Sequence, residues 1–452
     1  MRNVTLSLMF AALAACAAHS PDRATFVPSG DPRVTLFRSD VQTAWPQFRL
    51  GGGLNVVVAN PQLPAEPAWR VETNGQYSSS PSVSGSTVLM ANNSRKLYAL
   101  DARTGATIWI GSADNEIMSQ PVYATGVVYV GAGNSLVRIW GAPRYKLMGT
   151  GASDLLAFTL AKGEPVWRAG LPGSGMPTPA LVGPMLVHGD GAGMIYAFRA
   201  VDGEYLWHHY FGSDMDMSQA LDGADGRIYV GGSYPNAILA LNARNGAAIW
   251  QHRFDTYDGA LSDCPLASDG RNIYGMYVRQ TSPMRLPFRP DGRNADQHVY
   301  ALSAKNGSLR WDTTLPGVRG IVPRFNEAAI PLLYGGTLYD GSAIAPVVTA
   351  LDPQNGSVLW QLQVEGPVKG GITARDGVLY FGDLAGYLWA VDAHQGRTIG
   401  KIKTDTSFNV GSPIILNDSL VIGSGDGSVI ALPLRAIRTS QPMSGITNAG
   451  DL

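Results

Sequence analysis

Short apolar runs alternate with glycine-containing turns along most of this chain. Residues 97–101 read Leu-Tyr-Ala-Leu-Asp, residues 103–105 form a polar turn that ends in Gly, and residues 106–109 read Ala-Thr-Ile-Trp. This pattern predicts a β-hairpin whose glycine supplies the positive φ of the turn. A hairpin alone is marginally stable in water, so we expect it to pack against other sheets.

The same hairpin recurs along the chain, and all of its copies but one end on tryptophan. The return strands end at Trp109, Trp167, Trp207, Trp250, Trp311, Trp360 and Gly400, where the tryptophan is missing. The shortest spacing is 40 residues, as between Trp167 and Trp207. That spacing is typical of a four-stranded propeller blade. We interpret the tryptophans as packing residues that cover the neighbouring blade.

The two ends of the repeat region complete one another. Residues 428–432 repeat the first strand of the hairpin without its return, whereas residues 67–71 form a return strand, with Trp69, that lacks its first three partners. Joining them closes a ring and hides exposed sheet edges. The sequence therefore predicts an all-β, eight-bladed β-propeller of four-stranded antiparallel blades over residues 45–432, closed by the N-terminal strand pairing with the C-terminal blade. A seven-bladed ring, with one insertion read as a blade, is the alternative.

Composition narrows the class of function only slightly. The 452 residues are 45% hydrophobic and 15% charged, and they carry a net charge of -1. No global field therefore favours nucleic acid or an acidic substrate, and we predict no nucleic-acid partner.

The N-terminus has the pattern of a targeting segment. Arg2 precedes an apolar stretch that is too short to span a bilayer. Residues 13–16, Leu-Ala-Ala-Cys, resemble the lipobox of bacterial lipoproteins, which implies cleavage before Cys16 and its acylation. We therefore expect a signal peptide over 1–15, a lipid-anchored tether over 16–44 and a flexible tail over 433–452. In the enteric sorting rule, Ala17 implies the outer membrane, with the ring facing the periplasm.

Three insertions interrupt the repeat, at 134–154, 279–297 and 317–344. The second contains Arg279, Arg285 and Arg289 between prolines. Loops on one rim of a propeller commonly carry its function. These loops are candidates for binding a protein partner, or an anionic or sugar-like ligand.

The repeats resemble those of pyrroloquinoline-quinone-type propellers, most clearly at residues 382–388, Gly-Asp-Leu-Ala-Gly-Tyr-Leu. Together with the lipobox, the ring resembles the BamB family of the outer-membrane β-barrel assembly machinery. That resemblance implies a scaffold lipoprotein that binds the POTRA domains of a BamA-like insertase, as a monomer within a complex.

The resemblance carries over to the partner-binding loops only in part. Leu261, Ser262 and Asp263 match a family interface segment, but its second Asp is replaced by Pro265. The preceding blade offers Asp214 and Asp216 but lacks the family's arginine.

Two other classes of function stay open. Quinoprotein dehydrogenases use the same propeller, but many contain a vicinal cysteine pair, and Cys16 and Cys264 are the only cysteines here. A carbohydrate or cell-wall binding propeller is the other alternative. No catalytic motif, cofactor site or metal-ligand spacing is apparent. The resemblance to the BamB family implies a non-enzymatic protein, and we predict no cofactor.

Overall fold

The computed structural model describes residues 25–26, 57–135, 138–141, 144–147, 149–215, 221–222, 226–233, 235–254, 265–280, 295–318, 329–441 and 447–448. Eight antiparallel four-stranded units follow one another around a ring, as the sequence predicts. Three short strands precede the first unit: β1 (Thr25–Phe26), β2 (Val57–Val58) and β3 (Trp69–Glu72).

The first four blades are built from β4 to β21, and blade 2 carries an inserted hairpin. Blade 1 has β4 (Ser82–Ser84), β5 (Thr87–Asn92), β6 (Lys96–Asp101) and β7 (Thr107–Ser112). Blade 2 has β8 (Val122–Ala124), β9 (Val127–Ala132), the inserted hairpin β10 (Arg138–Gly141) and β11 (Arg144–Leu147), then β12 (Asp154–Thr159) and β13 (Pro165–Gly170). Blade 3 has β14 (Ala180–Val182), β15 (Met185–Gly189), β16 (Met194–Arg199) and β17 (Tyr205–Tyr210). Blade 4 has β18 (Leu221–Asp222), β19 (Arg227–Gly232), β20 (Ala237–Asn242) and β21 (Ala248–Arg253).

The remaining blades continue this order, and the last one borrows β3. Blade 5 has β22 (Ala267–Ser268), β23 (Asn272–Gln280), β24 (Ala295–Ser303) and β25 (Leu309–Val318). Blade 6 has β26 (Leu332–Tyr334), β27 (Thr337–Gly341), β28 (Val347–Leu351) and β29 (Val358–Gln363). Blade 7 has β30 (Thr373–Arg375), β31 (Val378–Gly382), β32 (Tyr387–Asp392) and β33 (Thr398–Lys403). Blade 8 has β34 (Ile414–Leu416), β35 (Ser419–Gly423), β36 (Ser428–Pro433) and β3, followed in the chain by helix α1 (Leu434–Arg438) and β37 (Thr447–Asn448).

The ring closes as the two half-repeats indicate. Strand β3 pairs antiparallel with β36, and Trp69 lies opposite Ala431 while Glu72 lies opposite Ser428. Blade 8 therefore combines the two ends of the repeat region, which confirms the predicted closure.

One joint recurs between neighbouring blades and explains the tryptophan repeat. The indole Nε1 of Trp69 donates a hydrogen bond to the carbonyl of Ala102 in the next blade, at 3.0 Å. A Cβ added to Gly105 of the same turn would lie 2.7 Å from the ring of Trp69, so only glycine fits there. The same indole-to-carbonyl bond is made by Trp109, Trp167, Trp207, Trp250, Trp311 and Trp360. The tryptophans are therefore packing residues, as interpreted from the sequence.

Blade 7 lacks this tryptophan, and helix α1 covers the position instead. A Cβ on Gly400 would lie 2.3 Å from the carbonyl oxygen of Ile437. Leu434 and Ile437 are both buried in the core between blades 7 and 8. The expected flexible tail therefore does not start at residue 433. A helix occupies that place because apolar side chains three residues apart share one helix face.

All three insertions leave the repeat at one rim of the ring. Neighbouring strands of a blade are antiparallel. The second strand therefore ends at the same rim where the third strand begins. The outer strand ends at this rim as well. The chain departs from the repeat after β9, after β23 and after β25, and all three departures lie at this rim. We call it the insertion rim. The glycine turns between the third and outer strands lie at the opposite rim.

Short strands of the chain also extend two outer edges. Strand β1 pairs antiparallel with β13, and Phe26 lies opposite Trp167. Strand β37 pairs parallel with β3. Among the described residues, no helix is long and apolar enough to cross a membrane.

Candidate functional site

Blade 5 reaches further at the insertion rim than its neighbours. Strands β23 and β24 have nine residues each and β25 has ten, against six each for β5, β6 and β7 of blade 1. The added residues lie at the rim ends of the strands, because the turn at the opposite rim keeps the register of the repeat. This extension carries an unusual set of polar side chains at its base.

An Asp–His pair with a tyrosine lies at this base, on three adjacent strands. His298 Nδ1 lies 2.8 Å from Asp312 Oδ1, and the hydroxyl of Tyr277 donates to Asp312 Oδ2 at 2.7 Å. The rings of Tyr277 and His298 stack with centroids 4.6 Å apart and an interplanar angle of 7°. The three residues therefore form one connected unit, which we call the His298 cluster.

The cluster faces blade 4 through aromatic contacts. Phe254, which follows β21, lies 5.0 Å from Tyr277 and 4.5 Å from Tyr300 between ring centroids. His298 and Tyr277 are both buried, whereas the side chain of Asp312 is 24% exposed. Burial and the bond to Asp312 raise the pKa of Tyr277, so its phenol stays protonated at neutral pH.

The opposite face of the same strand is clamped to blade 6. Gln297 Nε2 donates to Asp340 Oδ2 and, at 3.2 Å, to the carbonyl of Gly341. Burial raises the pKa of Asp340 well above its usual value. Asp340 Oδ1 and Gln297 Oε1 are fully buried without a partner among the described residues. Burial therefore favours the protonated form of Asp340, and we call Asp340 and Gln297 the acid–amide pair.

Two other buried titratable residues lie in or directly after β15 of blade 3. His188 is fully buried, neither of its ring nitrogens has a partner among the described residues, and burial lowers its pKa to about 3. Burial raises the pKa of Asp190 to about 6, although the carboxylate accepts backbone hydrogen bonds from Gly173, Ala192 and Met194. Asp190 fixes the turn that follows β15.

The structure places only two of the sequence-predicted binding residues. Arg279 is exposed near the rim end of β23. Asp214 is 3% exposed, and its backbone pairs with Ser233, so its side chain is not presented at the surface. Cys16, Asp216, Leu261, Ser262, Asp263, Arg285 and Arg289 lie outside the described residues.

Sequence reasoning missed the His298 cluster. His298 and Asp312 lie 14 residues apart on different strands and form no local motif. The available signal was a polar run, Asp-Gln-His at 296–298, that enters a strand otherwise apolar in the repeat. In the described part of the chain, no three His, Cys, Asp or Glu side chains are grouped as a metal site requires.

The fold and the repeat define a class: an eight-bladed propeller of the pyrroloquinoline-quinone type with an elaborated insertion rim. Residues 57–142, 144–260 and 345–436 match the PQQ_2 family model, described as outer membrane protein assembly factor BamB. The chain belongs to this family.

Its relatives include both assembly factors and enzymes. The chain is 24% identical over 376 residues to tetrathionate hydrolase of Acidithiobacillus ferrooxidans, covering 79% of this chain and 72% of the relative. It is 21% identical over 383 residues to BamB of Burkholderia pseudomallei, covering 82% and 88%.

Solved structures share the fold. BamB from Moraxella catarrhalis superposes with a TM-score of 0.60 at 16% identity, over 80% of this chain and 98% of that one. A quinohemoprotein alcohol dehydrogenase from Comamonas testosteroni gives 0.61 at 16% identity, over 87% and 80%.

These relatives overturn one expectation from the sequence. The prediction of a non-enzymatic protein was wrong as an inference, because a relative matching most of the chain is a named hydrolase. The absence of a local catalytic motif does not exclude catalysis by side chains that come together from separate strands.

Proposed function

We propose that the protein is a cell-envelope hydrolase that acts at its insertion rim on a small anionic sulfur compound of the tetrathionate type. The observation that carries this proposal is the His298 cluster at the base of the longest blade. An Asp–His pair is a common acid–base device in hydrolysis.

Two further features support the proposal. The named hydrolase relative matches 79% of this chain, so the likeness extends well beyond one blade. Arg279 is exposed near the end of β23 and places a cation at the same rim. A guanidinium binds oxyanions through several donors at once, which suits a substrate with sulfonate ends.

The test is direct. Purified protein is incubated with tetrathionate between about pH 4 and about pH 8, a range that spans histidine titration. Loss of tetrathionate in proportion to protein concentration is expected. Protein with native β-sheet circular dichroism that consumes none at any pH contradicts the proposal.

A second candidate function follows from the family model and the nearly full-length match to BamB. In this function the protein is an outer-membrane lipoprotein, anchored through Cys16, that supports insertion of β-barrel proteins by binding POTRA domains of a BamA-like insertase. The insertion rim would be the docking face. Crosslinking in the native envelope should then recover the insertase, and recovery of no assembly subunit contradicts this candidate.

A further inference from the structure

We propose that His298 is the general base of the hydrolytic site and that Asp312 is the positioning residue that sets its tautomer. This inference rests on the proposed function, because it assigns the residue that activates water at the insertion rim.

The hydrogen bonds determine which ring nitrogen carries the proton. The carboxylate of Asp312 can only accept hydrogen bonds. Its Oδ2 accepts one from the hydroxyl of Tyr277, and its Oδ1 is the hydrogen-bond partner of His298 Nδ1. The proton of the neutral imidazole is therefore on Nδ1, and Nε2 carries the lone pair. This is the tautomer that a base needs.

Among the described residues, His298 Nε2 makes no hydrogen bond. Within the described ranges, the hydrogen bonds of His298 reach only Asp312 and Thr314, and both involve Nδ1. His188 differs, since both of its nitrogens are fully buried. The carboxylate aligned on Nδ1 therefore distinguishes His298 from His188.

Contacts on both faces of β24 fix the position of His298. Tyr277 stacks on the imidazole, and the preceding residue, Gln297, is bound to Asp340 of blade 6. Successive strand residues point to opposite faces, so one side of β24 fixes the cluster and the other anchors the strand. Such support reduces the reorganisation required when the ring takes up a proton.

The step is a proton transfer coupled to hydrolysis. As the water oxygen forms a bond to the electrophilic atom of the substrate, its proton moves to Nε2. The bond to the leaving group breaks with its electron pair on that group, and His298 then returns the proton to it. The imidazolium formed in between is stabilised by Asp312.

The experiment compares His298→Gln and Asp312→Asn with His394→Gln, a control at an exposed histidine of the opposite rim. We expect kcat for tetrathionate to fall on the order of 10²–10⁴-fold in His298→Gln. Asp312→Asn should lower kcat and alter the acid limb of the pH profile, and the control should match the wild type. Full activity in folded His298→Gln, or an unchanged pH profile in Asp312→Asn, overturns the inference.

A second readout separates this inference from the proposed function. The ¹⁵N chemical shifts of His298 report its tautomer without any substrate. The inference requires Nδ1-protonated imidazole in the wild type and a shift of the tautomer balance in Asp312→Asn. If wild-type protein is inactive on tetrathionate, the proposed function fails. If the wild-type imidazole is protonated on Nε2, the assignment of His298 fails, whether or not the protein is active.

Discussion

The joint between neighbouring blades makes a prediction with a matched control. Gly105 has φ of +74°, and a Cβ there would meet the indole of Trp69 at 2.7 Å. Gly126 has φ of +80°, and a Cβ there would meet nothing within 4 Å. Alanine at either position therefore carries a similar backbone cost, about 1–2 kcal/mol for the left-handed region. Only alanine at 105 also collides with the tryptophan that closes the ring.

The extra cost of Gly105→Ala has two sources. Overpacking a buried contact costs about 1–3 kcal/mol. Displacing the indole also weakens the 3.0 Å hydrogen bond from Trp69 to Ala102, a loss of about 1 kcal/mol. We therefore expect Gly105→Ala to lower the free energy of unfolding by about 2–4 kcal/mol more than Gly126→Ala.

The assay is guanidinium unfolding followed by tryptophan fluorescence for both variants, with comparison of the free energies of unfolding. The same substitutions are then made in a Trp69→Ala background, where the collision is absent and the difference should disappear. Equal destabilisation by the two alanines in the wild-type background would refute the packing of Trp69 on this turn.

Three other predictions concern the acid–amide pair, helix α1 and the edge of blade 2. Burial raises the pKa of Asp340 in the folded state. The contribution of Asp340 to the free energy of unfolding is therefore fully present below the pKa of the unfolded state, about 3.9, and is lost as pH rises through the pKa of the folded state. Because Asn mimics the protonated acid, Asp340→Asn should match the wild type near pH 4 and be more stable than the wild type near pH 8 in chemical unfolding. Greater stability of the wild type near pH 8 would contradict the raised pKa of Asp340. Ile437 is 0% exposed, so Ile437→Ala should lower the free energy of unfolding by about 2–5 kcal/mol. The control Arg435→Ala, at an exposed position of the same helix, should lower it by less than about 0.5 kcal/mol. Equal unfolding midpoints for the two variants would show that α1 does not cover Gly400. Strand β1 pairs with β13 through Thr25 and Phe26, so the double variant Thr25→Pro with Phe26→Pro should speed amide hydrogen exchange across residues 167–168 without changing it at Trp360. Unchanged exchange at 167–168 would contradict the pairing.

The architecture was predictable because it repeats. Each of blades 1 to 6 carries its own turn glycine and tryptophan. The closure was predictable because residues 428–432 lack an outer strand and residues 67–71 supply one. Helix α1 was missed because a polar tail with Pro433 resembles a linker, although Leu434 and Ile437 are spaced for one helix face.

The His298 cluster was not predictable in this way. His298 faces Asp312 only because the register places Thr314 opposite His298 and Asp312 opposite Tyr300. A one-residue slip would turn one of the pair to the other face of the sheet. The raised pKa of Asp340 likewise depends on its burial against another blade, which no local pattern indicates.

The most direct test of the central claim, that function lies at the insertion rim, is hydrogen–deuterium exchange with and without tetrathionate. The account predicts slower exchange in the rim ends of β23, β24 and β25, and unchanged exchange in the opposite-rim turn at residues 352–356. Protection at that turn, with none in blade 5, would contradict it.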